Sequence, residues 1–337
     1  MLSPFFLRLA FSGKVCYDID ENKEMDFNMK TSSSHLLTRT PIVALIAIFC
    51  CALWGSATPF IKIGYELILE TRDTASTILF AGIRFTLAGL LTVLIYSIAY
   101  KRFLYPRREN LGRVAVVSVF QTILQYIFFY VGLANTTGVK GTIGSGSSAF
   151  FSLLIAGLIF RCEKLTAKKL LACALGFAGI ICVNLSGLTL TMNFLGDGFV
   201  LFSAIAYGFS TVFMKRFSKH ENPVVLSGYQ FILGGSVMVG IGLAFGGRVS
   251  IDSLAAVGVL LYLAFLSAAA YSLWGLLLQH NPVSRVTIYN FMTPVFGVIL
   301  SSLMLSENSK VAPLSLVLSL ALVCAGILLL NYKKDAK

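Results

Sequence analysis

The sequence predicts an all-α integral membrane protein of ten transmembrane helices, arranged as two inverted five-helix repeats. Three observations predict it. The 337-residue chain is 57% hydrophobic and 12% charged, whereas a soluble domain carries about 25% charged residues. From Ile42 onward, apolar runs of about 20 residues follow one another, each long enough for a hydrocarbon core of ~30 Å. The chain also repeats itself. Trp54-Gly55-Ser56-Ala57-Thr58-Pro59-Phe60-Ile61-Lys62 returns 153 positions later as Tyr207-Gly208-Phe209-Ser210-Thr211-Val212-Phe213-Met214-Lys215, with Gly, Thr, Phe and Lys in the same places. Similarity at a fixed distance marks related structural units.

Residues 1–41 form an N-terminal tail. Its first 28 residues crowd Asp20, Glu21, Glu24 and Asp26 together and read as a disordered extension or an upstream start, with Met29 opening an ordinary short tail. The apolar piece Phe5–Phe11 is broken by Arg8 and is too short to span. Ten spans follow, over 42–61, 75–99, 114–134, 142–160, 170–186, 195–214, 224–245, 254–277, 286–305 and 312–331. The first repeat takes residues 42–186, the second takes 195–332, and 333–337 is a tail. Breaks such as Tyr105-Pro106-Arg107-Arg108 and His280-Asn281-Pro282 carry the usual turn residues and charge.

Charge sets the orientation. Tails and even-numbered connections hold 21 Lys and Arg, odd-numbered connections hold 5, and Arg84 lies within a span. Because the connections are short, the basic side is expected to be cytoplasmic, with both termini there. The expected location is a bacterial plasma membrane.

The echo continues along both halves. Gly82, Arg84, Phe85 and Gly89 match Gly228, Gln230, Phe231 and Gly235. Tyr126, Lys140 and Thr142 match Tyr271, Arg285 and Thr287. Ala178-Gly179-Ile180 and Asn184 match Ala325-Gly326-Ile327 and Asn331, and the offset drifts only from 153 to 145–147. Each half has five spans, an odd number, so the second half enters from the opposite side. Such inverted repeats recur in alternating-access proteins. They place Lys62 at the outer end of the first span and Lys215 at the inner end of the sixth.

These pieces resemble the EamA family of the drug/metabolite transporter superfamily over residues 42–332. The resemblance rests on the Trp-Gly-to-Lys ending of the first span, Arg84-Phe85, and Leu195-Gly196-Asp197-Gly198. It rests also on two helix endings, Phe151 to Glu163-Lys164-Leu165-Thr166 and Thr293-Pro294-Val295-Phe296 to Ser306-Glu307. Two departures stand out: Ser147-Ser148-Ala149-Phe150 lacks the proline that Pro294 supplies in the second half, and Glu307 is followed by Asn308-Ser309-Lys310 where Glu163 meets Lys164 at once. The resemblance implies a ten-helix secondary transporter with a central cavity, moving small metabolites, often outward. Amino acids and related compounds are among the candidate solutes.

Several polar residues are candidates for that cavity. Arg84 is about 14 Å deep by helical rise, where a cation costs on the order of 3 kcal/mol and faces protein or a wet cavity. It is either a counter-charge for an anionic substrate or a brace that caps helix carbonyls. Trp54 and Thr58 are four apart and share a helix face. Gln121, Gln125 and Tyr126, with Tyr271 and Trp274, supply hydrogen-bonding groups and flat walls, the mixture small-molecule pockets use. Tyr207, Thr211 and Gln230 face them as repeat counterparts. Lys62 and Lys215 are expected at opposite mouths, as gate charges or as anchors reaching water. Pro59 and Gly144-Ser145-Gly146-Ser147-Ser148 offer places to bend or unwind. Glu163 and Glu307 read as loop anchors.

Other chemistry is not legible. The net charge of +12 reads as orienting loop charge, and no nucleic-acid partner is expected. Seven Cys without CxxC spacing read as small apolar residues, and the isolated His35, His220 and His280 indicate no metal. No Walker A, HExxH or GxSxG pattern occurs, so neither a cofactor nor catalysis is expected. A structural or sensory membrane protein, or a membrane-embedded enzyme, stands as the alternative. The expected partners are a small-molecule substrate and the lipid bilayer, with a homodimer left open.

Overall fold

The computed structural model describes residues 36–184, 191–304 and 313–331. Each expected span contains a helix. The first half holds α1 (Thr40–Ile68), α2 (Thr74–Ala99), α3 (Arg108–Ala134), α4 (Val139–Ile159) and α5 (Ala167–Val183). The second holds α6 (Phe194–Phe217), α7 (Pro223–Ala244), α8 (Leu254–His280), α9 (Val283–Met304) and α10 (Pro313–Asn331). Nine of the described helices are long and apolar enough to cross a membrane. The shortest, α5, has 17 residues and rises about 26 Å. Large apolar side chains such as Leu45, Leu94, Ile98 and Leu254 face outward, as lipid requires. The protein is an integral, multi-pass membrane protein. The tail before residue 36 and Glu307 lie outside the described residues.

Local chemistry sets the helix ends. The side chains of Asp73, Thr137, Thr166, Asn222 and Ser253 each accept a backbone N–H in the first turn of the helix they precede. The helix α1 runs past Ile61 to Ile68, because nothing breaks it before the extended Leu69. Pro59 stays inside this continuous helix, removing only the hydrogen bond to the Gly55 carbonyl. The fourth span does break at Ser147, between Gly138–Gly146 and Ser148–Leu154. The ninth breaks into Val283–Thr287, a 3-10 turn Ile288–Phe291 and Met292–Met304. A π-helical segment widens α3 at Val119–Leu124.

The packing repeats when the halves are exchanged. Gly82 meets Gly235 and Met238, while Gly89 meets Gly228 and Ile232, so α2 and α7 lie antiparallel. The helices α5 and α10 are antiparallel too: Gly179 meets Val323, and Gly326 meets Ala172 and Gly176. The helix α1 packs on α8 and α9, and its counterpart α6 packs on α3 and α4. Here the repeated Gly has its reason. A Cβ on Gly55 would lie 2.5 Å from the Phe296 Cβ, and one on Gly208 would lie 2.8 Å from Ile155 and 3.1 Å from the Phe151 backbone. Phe296 and Phe151 are themselves counterparts.

Two faces follow from the end contacts. On one, Arg285 donates to Thr40 Oγ1 at 2.8 Å, Asn281 to the Leu37 carbonyl at 2.8 Å, and Ser284 Oγ to Glu163 at 2.5 Å. On the other, Asn193 donates to the Asn135 carbonyl at 2.9 Å, Lys140 pairs with Asp197 at 3.3 Å, and Ser250 N–H donates to the Ile68 carbonyl at 2.8 Å. Lys215 belongs to the first face and Lys62, near the end of α1, to the second. The main apolar core fills the half nearer Lys215, around Ala47, Cys50, Cys51, Phe213, Leu277 and Phe291. Five cysteines there and elsewhere are free thiols, but Cys162 is disulfide-bonded. That departs from the expectation for Cys162.

Candidate functional site

A cavity of about 420 Å³ lies between the halves. Its walls come from α1, α2, α3, α4, α6, α8 and α9. The contributing stretches are the last part of α1 and α3, the first part of α4 and α6, and the middle of α8 and α9. All of these lie toward the Lys62 face. Thr58 and Lys62 are exposed, so the cavity opens there.

Helical spacing makes the wall. Trp54, Thr58 and Lys62 follow at four-residue steps down one face of α1, and Tyr126 and Tyr130 do so on α3. The rings lock one another. Tyr126 and Tyr271 share a hydrogen bond of 2.8 Å between their hydroxyls. Trp54 stands edge-on to Tyr271 at 5.1 Å and to Trp274 at 4.9 Å. Phe85 stacks on Phe231 at 5.2 Å and 8°. Both the tyrosine pair and the phenylalanine pair join repeat counterparts, so each sits where the halves meet. Tyr207 Oη accepts from Asn290 at 2.9 Å. Arg84 is 3% exposed; its guanidinium carbon is 4.4 Å from the Phe85 ring centre. Among the described residues, its Nε and Nη1 have no hydrogen-bond partner, nor have Trp54 Nε1 and Gln125 Oε1. No Asp or Glu is among the described lining residues.

Of the residues the sequence singled out, the structure brings together Trp54, Thr58, Lys62, Arg84, Gln125, Tyr126, Tyr207 and Tyr271. Gln121, Thr211, Gln230 and Trp274 lie off this cavity, in the packed half. Thr211 donates to its own helix at the Tyr207 carbonyl, 2.9 Å away. Gln230 Oε1 accepts from Thr122 at 2.6 Å. Gln121 and Trp274 are 4% and 2% exposed. Lys215 does not reach for water. Its Nζ donates to the carbonyls of Leu278, at 3.0 Å, and Asn281, at 2.7 Å, capping the end of α8. An ammonium satisfies the helix-end carbonyls there and suits the negative end of the dipole. Glu163 anchors a loop, pairing with Lys169 at 2.8 Å and accepting from Ser284. The cavity also contains Tyr130, Ser145, Ser203 and Asn290, which the sequence reading missed. Tyr130 was within reach as one turn beyond Tyr126, and Asn290 as the counterpart of Ser145. Among the described residues, no group of His, Cys, Asp and Glu could hold a metal.

The profile of the EamA-like transporter family matches residues 41–185 and again 194–332. An uncharacterized transporter of Bacillus subtilis, YvbV, is 27% identical over 89% of this chain and 94% of its own. An uncharacterized transporter of Archaeoglobus fulgidus is 25% identical, over 83% and 95%. A chloroplastic WAT1-related protein of Arabidopsis thaliana is 24% identical, over 76% of this chain and 62% of its own. One solved crystal structure superposes with a TM-score of 0.68 at 14% identity, covering 85% of this chain and 97% of that one. That likeness speaks for the fold alone.

Proposed function

The chain belongs to the EamA-like transporter family and is a membrane transporter, and from that premise we propose that it moves a small organic solute by alternating access. The observation that carries the proposal is a cavity between the halves that is open at the Lys62 face and packed shut at the Lys215 face. In this reading the halves are inverted repeats that exchange roles. The antiparallel α2/α7 and α5/α10 pairs support the inversion.

The residues off the cavity support the exchange. Gln121, Thr211, Gln230 and Trp274 are the repeat counterparts of Leu266, Thr58, Arg84 and Phe129, and all four of those line the cavity. Swapping the conformations of the halves would close the present cavity and open a second one lined by the buried four. Lys215 would leave the carbonyls of Leu278 and Asn281. Lys62 would reach the matching carbonyls of Leu133 and Thr136 at the end of α3. Buried polar atoms without partners, Gln121 Oε1, Gln230 Nε2 and Trp274 Nε1, would then gain water or solute. An unpaired buried polar group costs about 1–3 kcal/mol, so these three bias the closed half toward opening.

With the basic side cytoplasmic, the described state faces outward. Among the described residues the cavity wall offers no carboxylate, the usual proton carrier, which supports facilitated export or exchange. Proteoliposome flux across a metabolite panel, with and without a pH gradient, tests the reading. Saturable flux that ignores the gradient is expected. Failure of every solute to move would overturn transport by this chain.

A further inference from the structure

We propose that the solute is an aromatic monocarboxylate, its carboxylate held by Arg84 and its ring held among Trp54, Tyr126, Tyr207 and Tyr271. The inference rests on the transport reading above and names the solute class of that same cavity. Its starting point is an imbalance of charge. Arg84 is a cation 3% exposed in a cavity wall, within helix α2 and far from either end. Among the described residues, the ion pairs lie at helix ends or connections and do not include it. Among the described residues, no Asp or Glu lines the cavity, and Nε and Nη1 find no acceptor. Buried cations are ordinarily paired.

Phe85 does not make up the difference. Its ring, 4.4 Å from the guanidinium carbon, interacts through its π face and accepts no N–H hydrogen bond along the guanidinium edge. That edge is the part that recognises a carboxylate in a planar fork. If Arg84 were only a brace, its N–H groups would end on helix carbonyls. Two of its three nitrogens end on none.

The number of charges sets the valence. Lys62, the other cation in the lining, is eight residues beyond Trp54, about 12 Å along the helix, and it is exposed at the mouth. One cation at depth matches one negative charge. A dianion would bury an excess charge. A zwitterion would bring an ammonium with no carboxylate to meet it. Lys62 instead favours entry of anions from its face. The rings supply the rest: Trp54, Tyr126, Tyr207 and Tyr271 give edges and faces to an aromatic guest, and the unpaired Gln125 Oε1 can accept from a donor on it.

The chain provides its own probe, because its two tryptophans touch each other, Trp54 on the cavity wall and Trp274 packed behind it. Tryptophan fluorescence of the purified full chain is titrated with phenylpyruvate, phenylalanine and phenethylamine, which share a ring and differ in charge. Phenylpyruvate is expected to quench at the lowest concentration, with phenylalanine and phenethylamine each at least tenfold weaker. In Arg84→Gln, phenylpyruvate should bind about 10- to 100-fold more weakly, the loss of charge-assisted hydrogen bonds; Arg84→Lys should recover part of it. Should Arg84→Gln not fold, the order of the three ligands on the unaltered chain decides. Equal binding of all three, tightest binding of phenethylamine, no quenching by millimolar phenylpyruvate, or a folded Arg84→Gln that binds it undiminished would each overturn the inference. Flux of other solutes in proteoliposomes would leave transport standing while this inference fell; absence of all flux alongside phenylpyruvate binding would do the reverse.

Discussion

Replacing Lys215 with Met keeps most of the apolar stem and removes the ammonium that closes one face. Two hydrogen bonds vanish, to the carbonyls of Leu278 at 3.0 Å and Asn281 at 2.7 Å. Bonds from a charged donor are worth roughly 1.5–3 kcal/mol each. Lys215 is only partly buried, so water entering an opened face offsets about half of the sum. That leaves about 2 kcal/mol against the sealed state, a shift on the order of 30-fold toward opening at that face. Cys51 reports it. Its thiol is fully buried and hydrogen-bonded to the Tyr289 carbonyl at 3.1 Å, and its repeat counterpart, Ala204, lines the present cavity. On the proposed exchange, Cys51 becomes a wall residue whenever the Lys215 face opens. Site-resolved alkylation of Cys51 by a maleimide, followed by mass spectrometry, should speed up about 30-fold in Lys215→Met and not at all in Lys62→Met. Thermal unfolding must stay cooperative in both. A well-folded Lys215→Met whose Cys51 is as slow as in the unaltered chain would refute the latch and the exchange of halves with it.

Three further expectations concern the scaffold. In Gly55→Ala the new methyl carbon would lie 2.5 Å from the Phe296 Cβ. The variant should unfold at lower temperature, with a loss of about 1–3 kcal/mol, and Gly208→Ala should behave alike because it guards the counterpart crossing. Glu163→Ala removes the carboxylate that accepts from Lys169 and from the Ser284 hydroxyl and backbone. A loss of about 3 kcal/mol in chemical unfolding is expected for breaking such a pair, accompanied by faster Cys51 alkylation. Asp73 caps α2; hydrogen bonds from the Thr71 hydroxyl and then the Ser76 backbone hold its carboxyl down at about 2. The folded-state value lies below the unfolded one, so the cap's contribution is present above the ordinary carboxylate range and fades as pH falls through about 2. Asp73→Ala should therefore be less stable than the unaltered chain at neutral pH, and the gap should narrow in strong acid.

Much of the fold was legible because lipid leaves few choices. A spanning segment must satisfy its backbone internally, so apolar length alone locates ten helices, and capping residues such as Asp73 and Ser253 end up beside the starts they signal. Helix ends were less legible. The polar run from Trp54 to Lys62 reads as the close of a span, yet α1 continues to Ile68, because polar groups that line a cavity do not interrupt a helix. The break in the fourth span at Ser147 falls in the Gly-Ser run, where no side-chain bulk resists unwinding. The break in the ninth falls at Ile288–Phe291, just before Pro294. Nothing in the sequence alone points Lys215 inward, because that contact depends on α8 ending beside it.

The candidate site divides in an instructive way. Residue chemistry chose pairs, Thr58 with Thr211, Arg84 with Gln230, Trp54 with Tyr207, without knowing which member faced the cavity. In the structure one member of the first two pairs lies on the wall and the other in the packed core. The proposed exchange would account for this division: a sequence serving both states of a transporter must carry polar groups for each, while a single conformation exposes one set. The core around Trp274, Gln121 and Gln230 then holds polar atoms that no ordinary core would keep, three of them unpaired. The two sets are not chemically equal. Arg84 is the repeat counterpart of Gln230, so on the proposed reading a carboxylate would be held by a cation in the described state. The exchanged state would bring Gln230 to the wall and withdraw Arg84 into the packing. A solute bound by its charge on one side of the membrane would thereby meet a neutral amide on the other, so its affinity would differ between the two faces.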